Sequence, residues 1–136
     1  MDLRWLSGWQ PQLLALLRIV TALLFMQHGL IKIFGFPPGG QPGPQALGTL
    51  LGIGGLIELV TSVLILLGLS TRPAAFIAAG EMAVAYWMFH APKNLYPAIN
   101  MGEGAVLFCF IFLYLASAGP GAWSVDGART RNAPIR

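Results

Sequence analysis

Four long apolar segments, separated by short breaks rich in turn-forming residues, constrain this chain more than any other feature. A helix that crosses a bilayer needs about 20 mostly apolar residues, and each segment comes close to that length. Only helices and closed barrels satisfy the backbone in lipid, and these runs lack the alternation of barrel strands. The sequence therefore predicts an all-α fold, an integral membrane bundle of four transmembrane helices at residues 13–34, 47–68, 73–90 and 101–118.

The remaining residues form breaks and ends, not a second domain. The 35–46 break is rich in glycine and proline, the 69–72 break is a tight turn, and residues 119–136 are predicted to be a short basic tail. The first apolar run is too long for a cleaved signal peptide, so we expect it to be retained as a helix. Residues 1–136 are therefore predicted to form a single membrane domain.

The composition excludes several classes of protein. Charged residues make up 10% of the chain, against about 25% in a soluble domain, and the mean hydropathy is +0.69. These values exclude both a soluble monomer and a disordered chain. The single cysteine, Cys109, excludes an internal disulfide framework and a cysteine-based zinc or iron–sulfur site. The cations are scattered, so the expected partner is the lipid bilayer and not nucleic acid.

The distribution of cations predicts the orientation of the bundle. With four spans, both termini and the 69–72 turn lie on one side of the membrane, whereas the opposite side holds only Lys93. Cytoplasmic segments carry the excess of lysine and arginine, so both termini are expected in the cytoplasm. The arginines on that side are Arg4, Arg72, Arg129, Arg131 and Arg136.

Charged residues inside the predicted helices are the most informative feature for function. A charge near the bilayer centre costs about 2.5–3.5 kcal/mol on insertion scales. We therefore expect these side chains to face inward and to pair with each other or to line a polar cavity. The first helix carries Arg18 and Lys32, and the next three helices carry Glu58, Glu81 and Glu103, one in each.

Helical spacing and depth predict two polar layers within the bundle. His28 and Lys32 are four residues apart and share a helix face. The central layer is predicted to hold Arg18, Glu58 and Glu81, and the outer layer His28, Lys32, His90, Asn100 and Glu103. The candidates for binding a substrate or a proton are Arg18, His28, Lys32, Glu58, Glu81, Asn100 and Glu103.

Two interpretations of these charges stay open. Buried ion pairs can simply fix the register and specificity of helix packing. Three glutamates against two cations, however, leave one carboxyl without a partner, and such a carboxyl in a low dielectric can bind a proton or a polar ligand. A metal site is not expected, because the donors lack the Glu-x-x-His spacing of helical metal sites and Lys32 repels a cation.

Small residues recur at helical spacing in the second and third segments. Gly48 and Gly52 form one such face, and Ala75, Ala79 and Ala83 form another. Faces of this kind allow close contact between helices, either within the bundle or between chains.

Several short motifs, in their order along the chain, resemble the DoxX family of small four-helix membrane proteins. They are LR at 17–18, QHGLIKIF at 27–34, GLIEL at 55–59, LGLSTR at 67–72, NMGE at 100–103 and GPGAWSVD at 119–126. The resemblance extends over residues 13–127. It implies a location in a bacterial-type inner membrane, and it maps the family's polar pattern onto Arg18, His28, Lys32, Glu58 and Glu103.

The resemblance also implies a redox context. Founding members of the family are subunits of a thiosulfate:quinone oxidoreductase, and other relatives are associated with thiol redox and oxidative-stress systems. The favoured function is therefore binding of a quinone, or of a small polar or sulfur compound, at the buried charged cluster. No motif for a bound cofactor is visible. The alternatives are a non-catalytic subunit that anchors or stabilises a larger membrane complex, with a protein partner or as a homo-oligomer, and a small proton-coupled transporter.

Overall fold

The structure is a computed structural model that describes residues 2–132, and the regular secondary structure of these residues is helical. The predicted all-α fold is confirmed for these residues. A 3₁₀ helix at Arg4–Trp9 leads directly into the first α-helix, and a π-helical turn at Tyr86–His90 continues the third. Arg136, one of the arginines counted for the orientation, lies outside the described residues. The α-helices are α1 (Gln10–Phe34), α2 (Leu50–Leu67), α3 (Thr71–Ala85), α4 (Pro97–Asn100), α5 (Glu103–Ala118) and α6 (Val125–Arg131).

The four apolar segments coincide with α1, α2, α3 plus its π-helical turn, and α5, with ends that differ by up to three residues. Two helices of the described chain, Arg4–Phe34 and Leu50–Leu67, are long and apolar enough to cross a membrane. Glu103–Ala118 is apolar but shorter. The four-span topology therefore stays a prediction.

The ends of the helices follow local sequence signals. Pro11 lies in the first turn of α1, where a missing backbone N–H costs nothing. Gly35 and Gly68 end α1 and α2 with φ of 67° and 66°, a left-handed conformation that a residue without Cβ adopts readily. The Thr49 hydroxyl accepts a hydrogen bond from the first turn of α2 and caps that helix.

The bundle consists of two closely packed helix pairs. α1 packs mainly on α2 and α3 mainly on α5, whereas α1 and α5 meet least of the four neighbouring pairs. The approach of α1 to α2 depends on Gly29, because a Cβ there would lie 2.8 Å from Leu59 N and 2.9 Å from Gly55 O. The loosely packed line between α1 and α5, which we call the α1–α5 seam, is closed at mid-height by aromatic rings. Phe25 lies 5.4 Å from Phe108, centroid to centroid.

The small-residue faces are used largely inside the chain. Ala75 and Ala79 are buried and Ala83 is half-buried, which allows α3 to approach its neighbours. Gly52 is buried, whereas a Cβ on Gly48 would meet only open space. Of the two roles left open by the sequence, packing within the bundle is the one that the structure displays.

The first part of the predicted basic tail is bound to the bundle. The Ala122 N–H donates to Pro11 O at 2.9 Å, and the Asp126 N–H donates to Gly68 O at 2.9 Å. These bonds tie residues 119–126, which we call the clasp, to the start of α1 and the end of α2. The clasp is therefore part of the folded bundle, and its last two residues are the first two of α6.

The Asp126 carboxylate caps the N-terminus of α3. It accepts the N–H groups of Ser70 at 2.9 Å and Thr71 at 3.0 Å. Partial burial raises the pKa of Asp126, but the backbone hydrogen bonds from Thr71 and Ser70 outweigh it, so the pKa lies below its usual value. A carboxyl whose pKa is lower in the folded state stabilises the fold above its unfolded pKa, and this contribution is lost as the pH falls through the folded pKa.

Replacing Asp126 by asparagine is expected to flatten the acid side of the stability profile. The wild-type melting temperature in detergent should fall between about pH 5 and pH 3 more steeply than that of Asp126→Asn. At neutral pH the variant should lose about 1 kcal/mol, the usual contribution of a helix cap. Glu103→Gln, which alters an exposed acid, is the control and should keep the wild-type slope. Parallel profiles for wild type and Asp126→Asn would contradict the capping role.

Candidate functional site

The centre of the candidate site is an ion pair between the first two helices. Lys32 Nζ donates to Glu58 Oε1 at 2.5 Å, and the side chains are 14% and 1% exposed. Gly55 makes room for the lysine stem, since a Cβ there would lie 2.6 Å from Lys32 Cβ. The sequence prediction that Lys32 belongs to an outer layer and Glu58 to a central one is wrong, because the long lysine side chain reaches across to the glutamate.

Glu81 of α3 lies beside this pair. A Cβ on Gly54 would lie 3.1 Å from Glu81 Oε1, and Gly54 precedes Glu58 by four residues, on the same face of α2. The Glu81 carboxyl therefore sits about one helical turn from the ion pair. The three residues Lys32, Glu58 and Glu81 form what we call the acid–lysine cluster.

Two polar atoms of the acid–lysine cluster lack a hydrogen-bond partner among the described residues. Glu58 Oε2 and Glu81 Oε2 are both buried, and neither has a hydrogen-bond partner among the described residues. Buried polar atoms are nearly always paired, so each exception calls for an explanation. One ammonium and two carboxyls carry no net charge when one proton is bound and one negative charge when it is released. The arrangement can hold one proton, or donate a hydrogen bond to a neutral polar ligand.

Arg18 lies away from the acid–lysine cluster, and the prediction that it shares a central layer with the two glutamates is wrong. Its guanidinium donates through Nη1 to Pro120 O at 2.5 Å and Ala122 O at 3.3 Å, and through Nη2 to Trp123 O at 2.8 Å. The residue is completely buried. Carbonyl oxygens of the clasp therefore accept from both Nη atoms, whereas Arg18 Nε is buried without a partner among the described residues.

A second polar group joins the π-helical turn at the end of α3 to α4. The Asn100 side chain is 2% exposed; it donates to Asn94 O at 2.9 Å and to Tyr86 Oη at 3.3 Å. His90 Nδ1 lies 3.0 Å from Asn100 O. Sequence reasoning grouped His90 with Asn100 but missed Tyr86, whose spacing of 14 residues from Asn100 carries no recognisable signal.

The other two outer-layer residues do not join either group. His28 is exposed on α1, with its ring edge against Phe108 at a centroid distance of 5.8 Å. Glu103 is exposed in the first turn of α5, where a negative charge is favourable near the positive end of the helix dipole. A single outer layer is therefore wrong, because its members are divided among separate places on the bundle.

Within residues 2–132, His, Cys, Asp and Glu side chains do not converge in groups of three that could hold a metal ion. Cys109 is a free, half-buried thiol on α5. The acid–lysine cluster itself supplies one amine and two carboxyls.

Known proteins resemble this chain over most of its length. The DoxX family model matches residues 13–91. A protein of Haemophilus influenzae, named only as uncharacterized, is 42% identical over 125 residues, which cover 89% of this chain and 93% of that protein. Escherichia coli inner membrane protein YqjF is 32% identical over 120 residues, 80% of this chain and 85% of the relative. Escherichia coli inner membrane protein YphA is 32% identical over 130 residues, 86% of this chain and 90% of the relative. No solved structure matches the chain significantly.

Proposed function

This chain belongs to the DoxX family, and from that premise we propose that it is a four-span inner membrane protein that binds a neutral quinone head group at the acid–lysine cluster. The location is supported by the two Escherichia coli relatives, both named inner membrane proteins. It is also supported by the two helices long and apolar enough to cross a membrane.

The shorter apolar helices support four spans. α3 and its π-helical turn run without a break over residues 71–90, which is 20 residues or about 30 Å, the thickness of the hydrocarbon core. α5 has 16 residues and spans about 24 Å, close to that thickness if the bilayer thins slightly. The arginine excess on the side of the clasp supports cytoplasmic termini.

The observation that carries the proposed ligand is the pair of buried carboxyl oxygens without partners, Glu58 Oε2 and Glu81 Oε2, beside Lys32. A quinone carbonyl is a hydrogen-bond acceptor, and a protonated Glu81 or the Lys32 ammonium is a donor of the kind it needs. An anion is less suited, because Glu58 already neutralises Lys32 and a second ionised carboxyl repels it. A neutral head group therefore fits better than an anionic sulfur compound.

The chain's own contribution to a redox reaction would be binding and proton transfer. Reducing a quinone to a quinol takes two electrons and two protons. The acid–lysine cluster offers positions for protons, whereas the two electrons must come from a partner redox protein, or pass to that partner when a quinol is oxidised. Because the cluster handles protons and another protein handles electrons, the proposed role is beside another redox protein in the same membrane.

The test compares three variants for binding of a decyl-tailed benzoquinone in detergent. Glu81→Leu, which removes the donor, is expected to bind about tenfold more weakly, the effect of losing one hydrogen bond from a strong donor. Glu81→Gln keeps an N–H donor at the same place and should stay within about threefold of wild type. The matched control is Glu103→Leu, which removes an exposed acid from α5. Equal binding by Glu81→Leu and wild type would refute the quinone site.

A further inference from the structure

The segment between α3 and α5 turns back along the bundle at the end opposite the clasp. We call residues 91–102 the α3–α5 loop, and α4 is part of it. The Asn100 side chain of this loop donates to Tyr86 Oη at 3.3 Å, and a Cβ on Gly102 would lie 2.7 Å from the Tyr86 ring. Tyr86 precedes His90, the last residue of the π-helical turn, by four residues. The loop therefore returns about one helical turn below the end of that turn.

The lengths of α3 and α5 lead to the same placement. Arg72, in the first turn of α3, donates to Ala116 O at 3.1 Å and to Ser117 O, so α3 begins at about the level where α5 ends. From that level α3 with its π-helical turn rises about 30 Å, whereas α5 accounts for about 24 Å. α5 therefore begins about 6 Å closer to the clasp than the π-helical turn ends. The last residues of the α3–α5 loop fill this difference, within the thickness of the bundle.

The side chains on the outside of the α3–α5 loop are large and apolar. Leu95 is 80% exposed, Ile99 65% and Met101 83%. Tyr96 is 63% exposed, and Trp87, on the π-helical turn just before the loop, is 71% exposed. In the four-span topology these residues lie at the boundary of the bilayer, the level at which tryptophan and tyrosine rings are enriched.

Hydrogen bonds within the protein satisfy much of the irregular backbone of this loop. At membrane depth such backbone is tolerated only where its polar groups are not left facing lipid. The Asn100 side chain, 2% exposed, donates to Asn94 O at 2.9 Å and accepts from the Gly102 N–H at 2.7 Å. The N–H groups of Ile99 and Asn100 both donate to Tyr96 O at 2.9 Å. One buried amide thus takes the place of water for a carbonyl and an N–H of the loop.

We infer that the α3–α5 loop is an interfacial segment, with Leu95, Ile99 and Met101 inserted among the lipids of the leaflet opposite the clasp. Its partner is the lipid surface, at the boundary between head groups and acyl chains. The inference rests on the four-span topology proposed above and is independent of quinone binding. Two exposed charges limit the depth of insertion, because Glu103 at the start of α5 and Lys93 in the loop have to stay among the head groups.

The test measures how often a nitroxide spin label collides with oxygen and with a polar nickel chelate, in protein reconstituted into phospholipid nanodiscs. The background is Cys109→Ala, which removes the native thiol. A label on Ile99→Cys should meet oxygen often and the chelate rarely. The ratio of the two collision rates should exceed that of the control Lys93→Cys by about tenfold, because a polar solute is excluded from apolar surroundings.

The same measurement distinguishes lipid from water and from protein. Equal ratios at Ile99 and Lys93 would place the loop in water and overturn the inference. Rare collisions with both reagents at Ile99 would also overturn it, since a second copy or a partner protein would then cover the loop. A label on Val84→Cys, 53% exposed on α3, reports on the four-span topology separately. Chelate contact there would refute that topology and the inference together, whereas lipid contact at Val84 with water at Ile99 would refute the inference alone.

A second variant tests the buried amide. Asn100→Leu removes the partner of Asn94 O and of the Gly102 N–H. Because these groups then need water, collisions of the Ile99 label with the chelate should rise about tenfold. Gln27→Leu, which removes an exposed amide from α1, should leave the label unchanged. The Val84 label should stay in lipid in both variants if the bundle is folded. An unchanged Ile99 label in Asn100→Leu would contradict the hydrogen bonding on which the inference rests.

Discussion

Replacing Lys32 by methionine is expected to lower the free energy of unfolding by about 3 kcal/mol, as the loss of one partner does in other buried ion pairs. The ammonium is the observed partner of Glu58 Oε1, and Glu58 Oε2 has none among the described residues. Without the Lys32 ammonium, the Glu58 carboxyl, which is 1% exposed, has to bind a proton or remain as a buried charge without a partner. Equilibrium unfolding in mixed detergent–SDS micelles measures the loss.

The matched controls distinguish the effect of losing the ion pair on stability from the effect of removing any lysine. Lys93→Met changes an exposed loop lysine and should shift stability by less than about 0.5 kcal/mol. The double variant Lys32→Met with Glu58→Gln removes both charges and should recover a large part of the loss. A Lys32→Met protein as stable as wild type would show that the ion pair does not hold α1 and α2 together.

Replacing Arg18 by methionine is expected to release the clasp. The variant removes a charged donor from three carbonyls, and charge-assisted hydrogen bonds contribute about 1.5–3 kcal/mol each, so a total loss of about 3 kcal/mol or more follows. The local readout is amide hydrogen exchange at Ala122 and Asp126, whose N–H groups bind Pro11 O and Gly68 O. Exchange at both should accelerate about a hundredfold.

Two further variants show whether this effect belongs to the Arg18 contacts. Arg18→Lys keeps the charge but loses the planar fork of donors, so it should lie between wild type and Arg18→Met. Arg131→Met, an exposed arginine of α6, should leave both amides protected. Unchanged exchange at Ala122 and Asp126 in Arg18→Met would mean that the clasp is held by its backbone contacts alone.

The all-α fold and the ends of the main helices could be predicted from the sequence because their causes are local. Each signal acts on a helix end within a few residues of itself. The signals are the apolar runs of helical length, the proline in the first turn of α1, and the glycines Gly35 and Gly68. The pairing of buried acids with Lys32 could also be anticipated, since charges in apolar segments need partners. Which of the acids pairs with Lys32 depends on the close packing of α1 and α2 at Gly29 and Gly55. That packing cannot be read from the sequence.

The role of Arg18 could not be predicted, because its partners carry no side-chain signature. They are backbone carbonyls, which every residue possesses, and they lie 102 to 105 positions later in the chain. Depth estimates along a straight helix also fail for long side chains, as the reach of Lys32 into the bundle shows. Helix periodicity therefore predicts the neighbours of the charged residues only in part.

The clasp has a consequence for how the protein is made. α1 is synthesised before the clasp, so Arg18 finds its partners only when residues 120–123 have left the ribosome. Until then the Arg18 guanidinium needs other hydrogen-bond acceptors, such as water or a lipid phosphate. Chains that stall or are cut before residue 120 lack those carbonyls altogether. In such a fragment the Arg18 guanidinium lacks the three carbonyl acceptors that it has in the folded protein.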